Sequence, residues 1–301
     1  MVHANSIQKP VRLRTLLRGE GIFEGPAWRE DGLLFTSVTK GGAYLLDIST
    51  GEATCVVPHR KGMGGFALAN DGFIVSGRNI SFKPFEGETV VLSPGADVDP
   101  MLRGYNDLTV DPHGAVIAGA LGLTSLNPSS MTGHETAPEE GAGTGGIWRI
   151  SRASRIKVAS DIAHPNGIAI SSNGRLAYVS DTLRHLVYRF RINGDVWSNR
   201  EVFAVFEHGH TDGMALAADG SLWVALASKG QIAVIEPSGE LRSLYSIETP
   251  LLTNLCFGGA DLRTVFVTTG SLDGRDPALV LSFRSDVPGM LIPTADFGQP
   301  N

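Results

Sequence analysis

The chain has 301 residues of uniform character, enough for one large domain, because all-β barrels and sandwiches of such size form single units. Its 37 glycines and 16 prolines point to many turns between short elements and exclude an all-α bundle. A net charge of −6, with no block of like charges, excludes the electrostatic footprint of a nucleic-acid binder and a polybasic membrane patch. The partner is then a small molecule or another protein, and nothing in the composition fixes an oligomeric state.

The first twenty residues carry Lys9, Arg12, Arg14 and Arg18 but no apolar run long enough for a signal-peptide core. No stretch of 18 apolar residues follows, so a soluble, cytoplasmic chain without membrane contact is expected. Residues 11–18 (VRLRTLLR) read as a strand that closes the fold by pairing with its last sheet. Cys55 and Cys256 supply neither a disulfide framework nor a Cys-x-x-Cys motif, and both read as buried thiols.

From Glu24 onward one pattern recurs. A polar or small residue opens a short alternating apolar run, a turn falls seven residues later, and a second apolar strand follows. Copies open at Glu24, Gly64, Asn106, Asn166, Asp212 and Asn254, with turns at Asp31, Asp71, His113, Asn173, Asp219 and Asp261. The steps are 40, 42, 60, 46 and 42, a period near 42 with one insertion in the third copy. Two further β-like segments follow each pair, such as 185–191 (HLVYRFR) and 201–206 (EVFAVF) around Asn193-Gly194. Four antiparallel strands at this period predict a six-bladed β-propeller, one domain over 1–301 with blades starting near 24, 64, 106, 166, 212 and 254. Two packed β-sandwiches also alternate strands and turns, but they do not require a constant offset of seven in six places.

If the innermost strand of each blade begins at the repeated residue, all six starts meet at one end of a central channel. His113 then belongs to a turn on the opposite rim. Glu24, Asn106, Asn166, Asp212 and Asn254 bring oxygen donors together there, where carboxylates repel unless a cation lies between them. Oxygen-only ligation suits Ca²⁺ first, with Mg²⁺ or Mn²⁺ next. Taken singly, Asn166-Gly167 and Asp212-Gly213 also read as hairpin turns; their shared place in the repeat favours ligands. The insertion over 121–145, rich in Gly, Pro, Ser and Thr, reads as a lid over the same end.

Glu24-Gly25-Pro26-Ala27-Trp28, Asn106-Asp107, Pro165-Asn166-Gly167-Ile168-Ala169, Ser180-Asp181-Thr182 and Thr211-Asp212-Gly213-Met214 together resemble the signature segments of the SMP-30/gluconolactonase/LRE-like family. The resemblance spans about residues 20–285 and implies a six-bladed propeller with one catalytic divalent cation, calcium first and magnesium, manganese, zinc or iron as alternatives. It implies Glu24, Asn166 and Asp212 as metal ligands. Asn106 would be a fourth ligand or a substrate contact, as in the related diisopropylfluorophosphatase-like enzymes. Family members mostly hydrolyse lactones, and some hydrolyse phosphotriesters. Sugar lactonases of the family tend to carry Arg two residues before the third-blade Asn, a place held here by Gly104 with Arg103 one step further off, which weakens the expectation of a sugar substrate.

The expected reaction is opening of a lactone or ester by metal polarisation of the carbonyl and base-assisted attack of water, with Asp212 as the base. His164 and His210, each two residues before an expected ligand, read as substrate contacts or as loop histidines; His208 stands close by. Tyr105 and Arg103 are further candidates for substrate contact. Asp181 either orients a ligand or starts an Asp-Thr turn. Phosphotriester hydrolysis on the same cation, and a non-catalytic propeller with a structural metal, are the competing functions.

Overall fold

The computed structural model describes residues 7–95, 97–125, 144–207 and 209–298; the expectations for His208 and for most of the 121–145 insertion lie outside them. Six sheets, each built on four antiparallel strands, surround one axis, the propeller that the repeat predicts. The innermost strands are Phe23–Arg29, Phe66–Ala69, Leu102–Val110, Pro165–Ile170, Thr211–Leu216 and Leu251–Gly258. Each packs against the innermost strand of the next blade, and the sixth returns to the first. Among the described residues no helix is long and apolar enough to cross a membrane.

Arg14–Gly19 pairs antiparallel with Ala278–Arg284 as the outer strand of blade six, so the N-terminal segment closes the ring as the sequence suggests. Ile7–Lys9, which lies outside the repeat, runs parallel to Leu241–Ser246 and gives blade five a fifth strand. His113 sits in a turn, its amide held by Asp111 Oδ1. The two cysteines differ: Cys256 is buried, whereas Cys55, on the outer strand of blade one, is exposed, correcting the reading of both as buried. Outer propeller strands keep one face in water, so an apolar thiol there is not necessarily covered.

Apolar clusters lie between blades rather than within them. One joins Phe23, Phe35 and Leu46 of blade one to Cys256, Phe266 and Val280 of blade six. Burying each of these larger side chains stabilises by about 1.5–3 kcal/mol. Beyond the last strand, the C-terminal segment crosses the end of the channel where the turns lie. Met290 N donates to Leu216 O at 3.0 Å, Ala295 N to Leu68 O at 2.8 Å and Asp296 N to Gly114 O at 2.9 Å, linking blades five, two and three. Between this strap and the opposite end is an apolar cavity of about 80 Å³, lined by all six innermost strands and by Met290, Leu291, Ile292 and Pro293.

Candidate functional site

The innermost strands are irregular where the repeated residues fall. Their pairing slips between Glu24 and Ala27, Tyr105 and Leu108, Pro165 and Ile168, Thr211 and Met214, and Leu252 and Asn254. A bulge adds a residue on one strand and re-aims its side chain. Asn166-Gly167 and Asp212-Gly213 are therefore bulged strand and not hairpin turns. The glycines make room for the neighbouring blade: a Cβ on Gly213 would lie 2.0 Å from the Asn254 amide, and one on Gly64 would lie 2.4 Å from Asn106 Oδ1. Blade two accordingly supplies space to the ring, not a ligand.

Glu24, Asp107 and Asp212 come close enough to affect one another's ionisation. The Glu24 carboxyl is pushed well above the usual range by burial, then by the charges of Asp212 and Asp107. Burial raises Asp107 to about 7. Burial and the Asp107 charge raise Asp212 as well, while the Asn166 amide favours its charged form. Asp107 Oδ1 accepts the Leu108 amide at 2.8 Å and Oδ2 accepts Asn254 Nδ2 at 3.2 Å. Asp212 Oδ1, by contrast, is buried with no hydrogen-bond partner among the described residues.

Sequence reasoning names Asp107 only inside a signature segment and gives it no role. Its signal is positional: the residue after the repeated one is Gly25, Gly65, Gly167 or Gly213 in four blades and Leu255 in blade six, and an acid only in blade three. Asn254 also differs from its expected part as an oxygen donor. Its Oδ1 accepts the Leu255 amide at 2.8 Å, which leaves the NH₂ group to face carboxylates. It clamps acids across the channel instead of offering its oxygen.

Asn106 donates Nδ2 to Pro165 O at 3.2 Å, and Asn166 donates Nδ2 to Thr182 Oγ1 at 3.2 Å. Among the described residues no three of His, Cys, Asp and Glu form a ready-made metal cage. The donor set nevertheless fits a hard cation: buried carboxylates that repel, an unpartnered carboxylate oxygen, and amide oxygens on adjoining blades. Glu24, Asn166, Asp212 and Asn106 are the residues that would hold it.

His164 and His210 are buried, not solvent-facing. Burial first, then the nearby Arg103 and His210, lowers His164 to about 4, so its imidazole is neutral near pH 7. His210 Nδ1 lies 3.2 Å from Ser228 Oγ and its ring packs against His185 with centroids 4.6 Å apart. Asp181 is fully buried and accepts the amides of Ala163 at 2.8 Å and His164 at 3.1 Å, with Arg184 Nη1 at 3.1 Å. It thus shapes the turn that carries His164 and does not touch the Asn166 side chain.

Arg103 is exposed and donates Nη1 to Ser125 O at 2.5 Å. Gly104 has φ +145° and approaches Gly77 O so closely that a Cβ would lie 2.9 Å away, so an arginine does not fit there. Tyr105 is not brought to the channel mouth. It is buried between blades two and three, with its hydroxyl 2.6 Å from Ser93 Oγ and accepting Arg155 Nη2 at 3.1 Å. Strand alternation accounts for this, since the bulge turns Asn106 inward and leaves its predecessor in the packing.

The family model described as SMP-30/Gluconolactonase/LRE-like region matches residues 22–271. The chain is 28% identical to a 6-deoxy-6-sulfogluconolactonase of Pseudomonas putida over 90% of its own length and 93% of that protein's. It is 26% identical to the pentonolactonase XacC of Haloferax volcanii, covering 85% of this chain and 84% of the relative. Among solved structures, regucalcin of Agrobacterium tumefaciens, described as a calcium-binding protein, superposes with a TM-score of 0.79 at 19% identity, covering 96% of this chain and 98% of that one.

Proposed function

The chain belongs to the SMP-30/gluconolactonase/LRE-like family, and on that premise we propose that it is a divalent-metal-dependent hydrolase that opens a lactone. The observation that carries this reading is the meeting of Glu24, Asp107 and Asp212 in one buried channel mouth, with one Asp212 oxygen lacking a donor among the described residues. Such a site is compensated by a cation, and the lactonase names of the two relatives supply the reaction class. Calcium is the first choice, on the oxygen-only donors and on the description of the Agrobacterium protein.

When bound, the cation polarises the ester carbonyl and stabilises negative charge on its oxygen. Glu24, Asn166 and Asn106 hold and orient. Asp212 takes the proton of the attacking water; Asp107 is less suited, because both of its oxygens are already hydrogen-bonded. As the water oxygen bonds to the carbonyl carbon, the carbon–oxygen bond of the ring breaks and the proton taken by Asp212 passes to the departing oxygen, giving a hydroxy acid. His164, neutral near pH 7, contributes a hydrogen bond to substrate and not a charge. Arg103 and His210 complete the substrate contacts.

The test is pH-stat hydrolysis of a panel of γ- and δ-lactones, with and without chelator, followed by return of Ca²⁺, Mg²⁺, Mn²⁺, Zn²⁺ or Fe²⁺. Turnover lost with chelator, restored by a cation and absent in Asp212→Ala and Asn166→Ala is expected. Chelator-insensitive turnover excludes the mechanism, and tight metal binding without turnover on any lactone turns the reading toward a non-catalytic propeller.

A further inference from the structure

The second strand of blade four, Leu176–Asp181, ends in Ser180-Asp181, and Thr182 follows it; all three side chains are buried. Ser180 Oγ donates to Asp212 O at 2.8 Å. Thr182 Oγ1 donates to Thr211 O at 2.7 Å and lies 3.2 Å from Asn166 Nδ2. A hydroxyl carries one proton. Because the Thr211 carbonyl can only accept, it takes that proton, and Thr182 has only lone pairs left to offer Asn166. The Asn166 amide must then turn its NH₂ group toward Thr182, the group that also meets the Asp212 carboxylate. Its Oδ1 takes no hydrogen bond among the described residues.

An asparagine amide has two nearly equivalent orientations, chosen by its hydrogen-bonding surroundings. Only one of them offers the oxygen away from Thr182. We propose that Thr182 is a positioning residue that fixes this orientation, so that Asn166 presents its oxygen and not its nitrogen to the cation. The same hydroxyl ties the amide to the strand that carries Asp212, so two neighbouring ligands share one anchor. The inference rests on the metal-dependent reading above and names a residue that touches neither substrate nor cation.

The test is calorimetric titration of Ca²⁺ and Mn²⁺ into the chelator-treated full chain and its variants, with the melting temperature of each variant measured beside it. Thr182→Val should weaken binding about tenfold or more, as loss of a ligand-orienting partner does. Thr182→Ser, which keeps the hydroxyl, should stay within about threefold of the native chain on the same reasoning. The decisive comparison is in an Asn166→Asp background. A carboxylate offers an oxygen whichever way it turns, so Thr182→Val should cost it nothing. If the valine variant does not fold, Thr182→Ala takes its place in both backgrounds. Unchanged affinity in Thr182→Val, or an equal loss in both backgrounds, would overturn the inference while leaving the metal site intact. A native chain that binds neither cation would instead overturn the proposed function, and this inference with it.

Discussion

Among the described residues, Asp212 differs from the other two ring carboxylates in having a buried oxygen with no hydrogen-bond donor. An unpaired acceptor of this kind destabilises a fold by about 1–3 kcal/mol, and like charges nearby add to that. Function and stability should then move in opposite directions when it is removed. Asp212→Asn should lower lactone hydrolysis by at least about 100-fold. The same variant, treated with chelator, should unfold at a higher urea concentration than the native chain; a lower midpoint would show that the carboxylate is stabilised in some other way. Gly213→Ala probes the other side of the site. Its Cβ would stand inside the Asn254 amide, forcing the clamp on Asp107 aside. Thermal unfolding should drop by several degrees, equivalent to roughly 1–3 kcal/mol for overpacking.

At the scale of elements, the bulges turn a repeated sequence into a site, and the C-terminal strap shuts the channel behind it. The strap's backbone bonds join three blades, and Ala295 and Phe297 are buried against blades two and three. Removing residues 287–301 should lower the melting temperature by about 5–10 °C, a loss of roughly 3–6 kcal/mol in a chain of this length. It should also increase binding of a fluorescent apolar dye, because the cavity opens; an unchanged melting temperature would show that the strap adds little to the ring. The strap was not legible in the sequence, since a segment without strand periodicity is defined by what it crosses. The blades were legible because each repeats the same alternation and turn. The closing strand followed from the same logic, as a ring of six needs a sixth outer strand. Bulges were not legible, and Asn-Gly and Asp-Gly therefore also read as turns. In the fold Gly213 serves close approach to Asn254 instead.

For the molecule as a whole, position in the ring was readable but partnership across it was not. The repeat places Glu24, Asn106, Asn166 and Asp212 at one end without alignment, because equivalent residues of equivalent blades must converge. That Asn254 clamps Asp107 depends on which way two side chains turn, over 147 residues of separation, and no local pattern encodes it. The consequence is an excess of buried acid that should govern stability against pH in the chelator-treated protein. A carboxyl raised by folding binds its proton more tightly in the native state than in the unfolded chain. Its stabilisation is complete below the unfolded pKa near 4 and is lost as pH rises through the folded value, about 7 for Asp107. That shift corresponds to a loss on the order of 4 kcal/mol, with Glu24 and Asp212 acting in the same direction. His164 acts oppositely: kept neutral, it costs stability as pH falls from about 6.5 toward about 4. Urea unfolding between about pH 6.5 and 8.5 weights the acids, because His164 titrates there only in the unfolded chain and only over the lower part of the window. With chelator the midpoint should fall across this window. Saturating Ca²⁺ should flatten the dependence, since a cation stabilises the charged forms and binds only the folded ring. A midpoint that rises with pH under chelator, or a slope that calcium leaves unchanged, would show that the three carboxylates do not share one cation site.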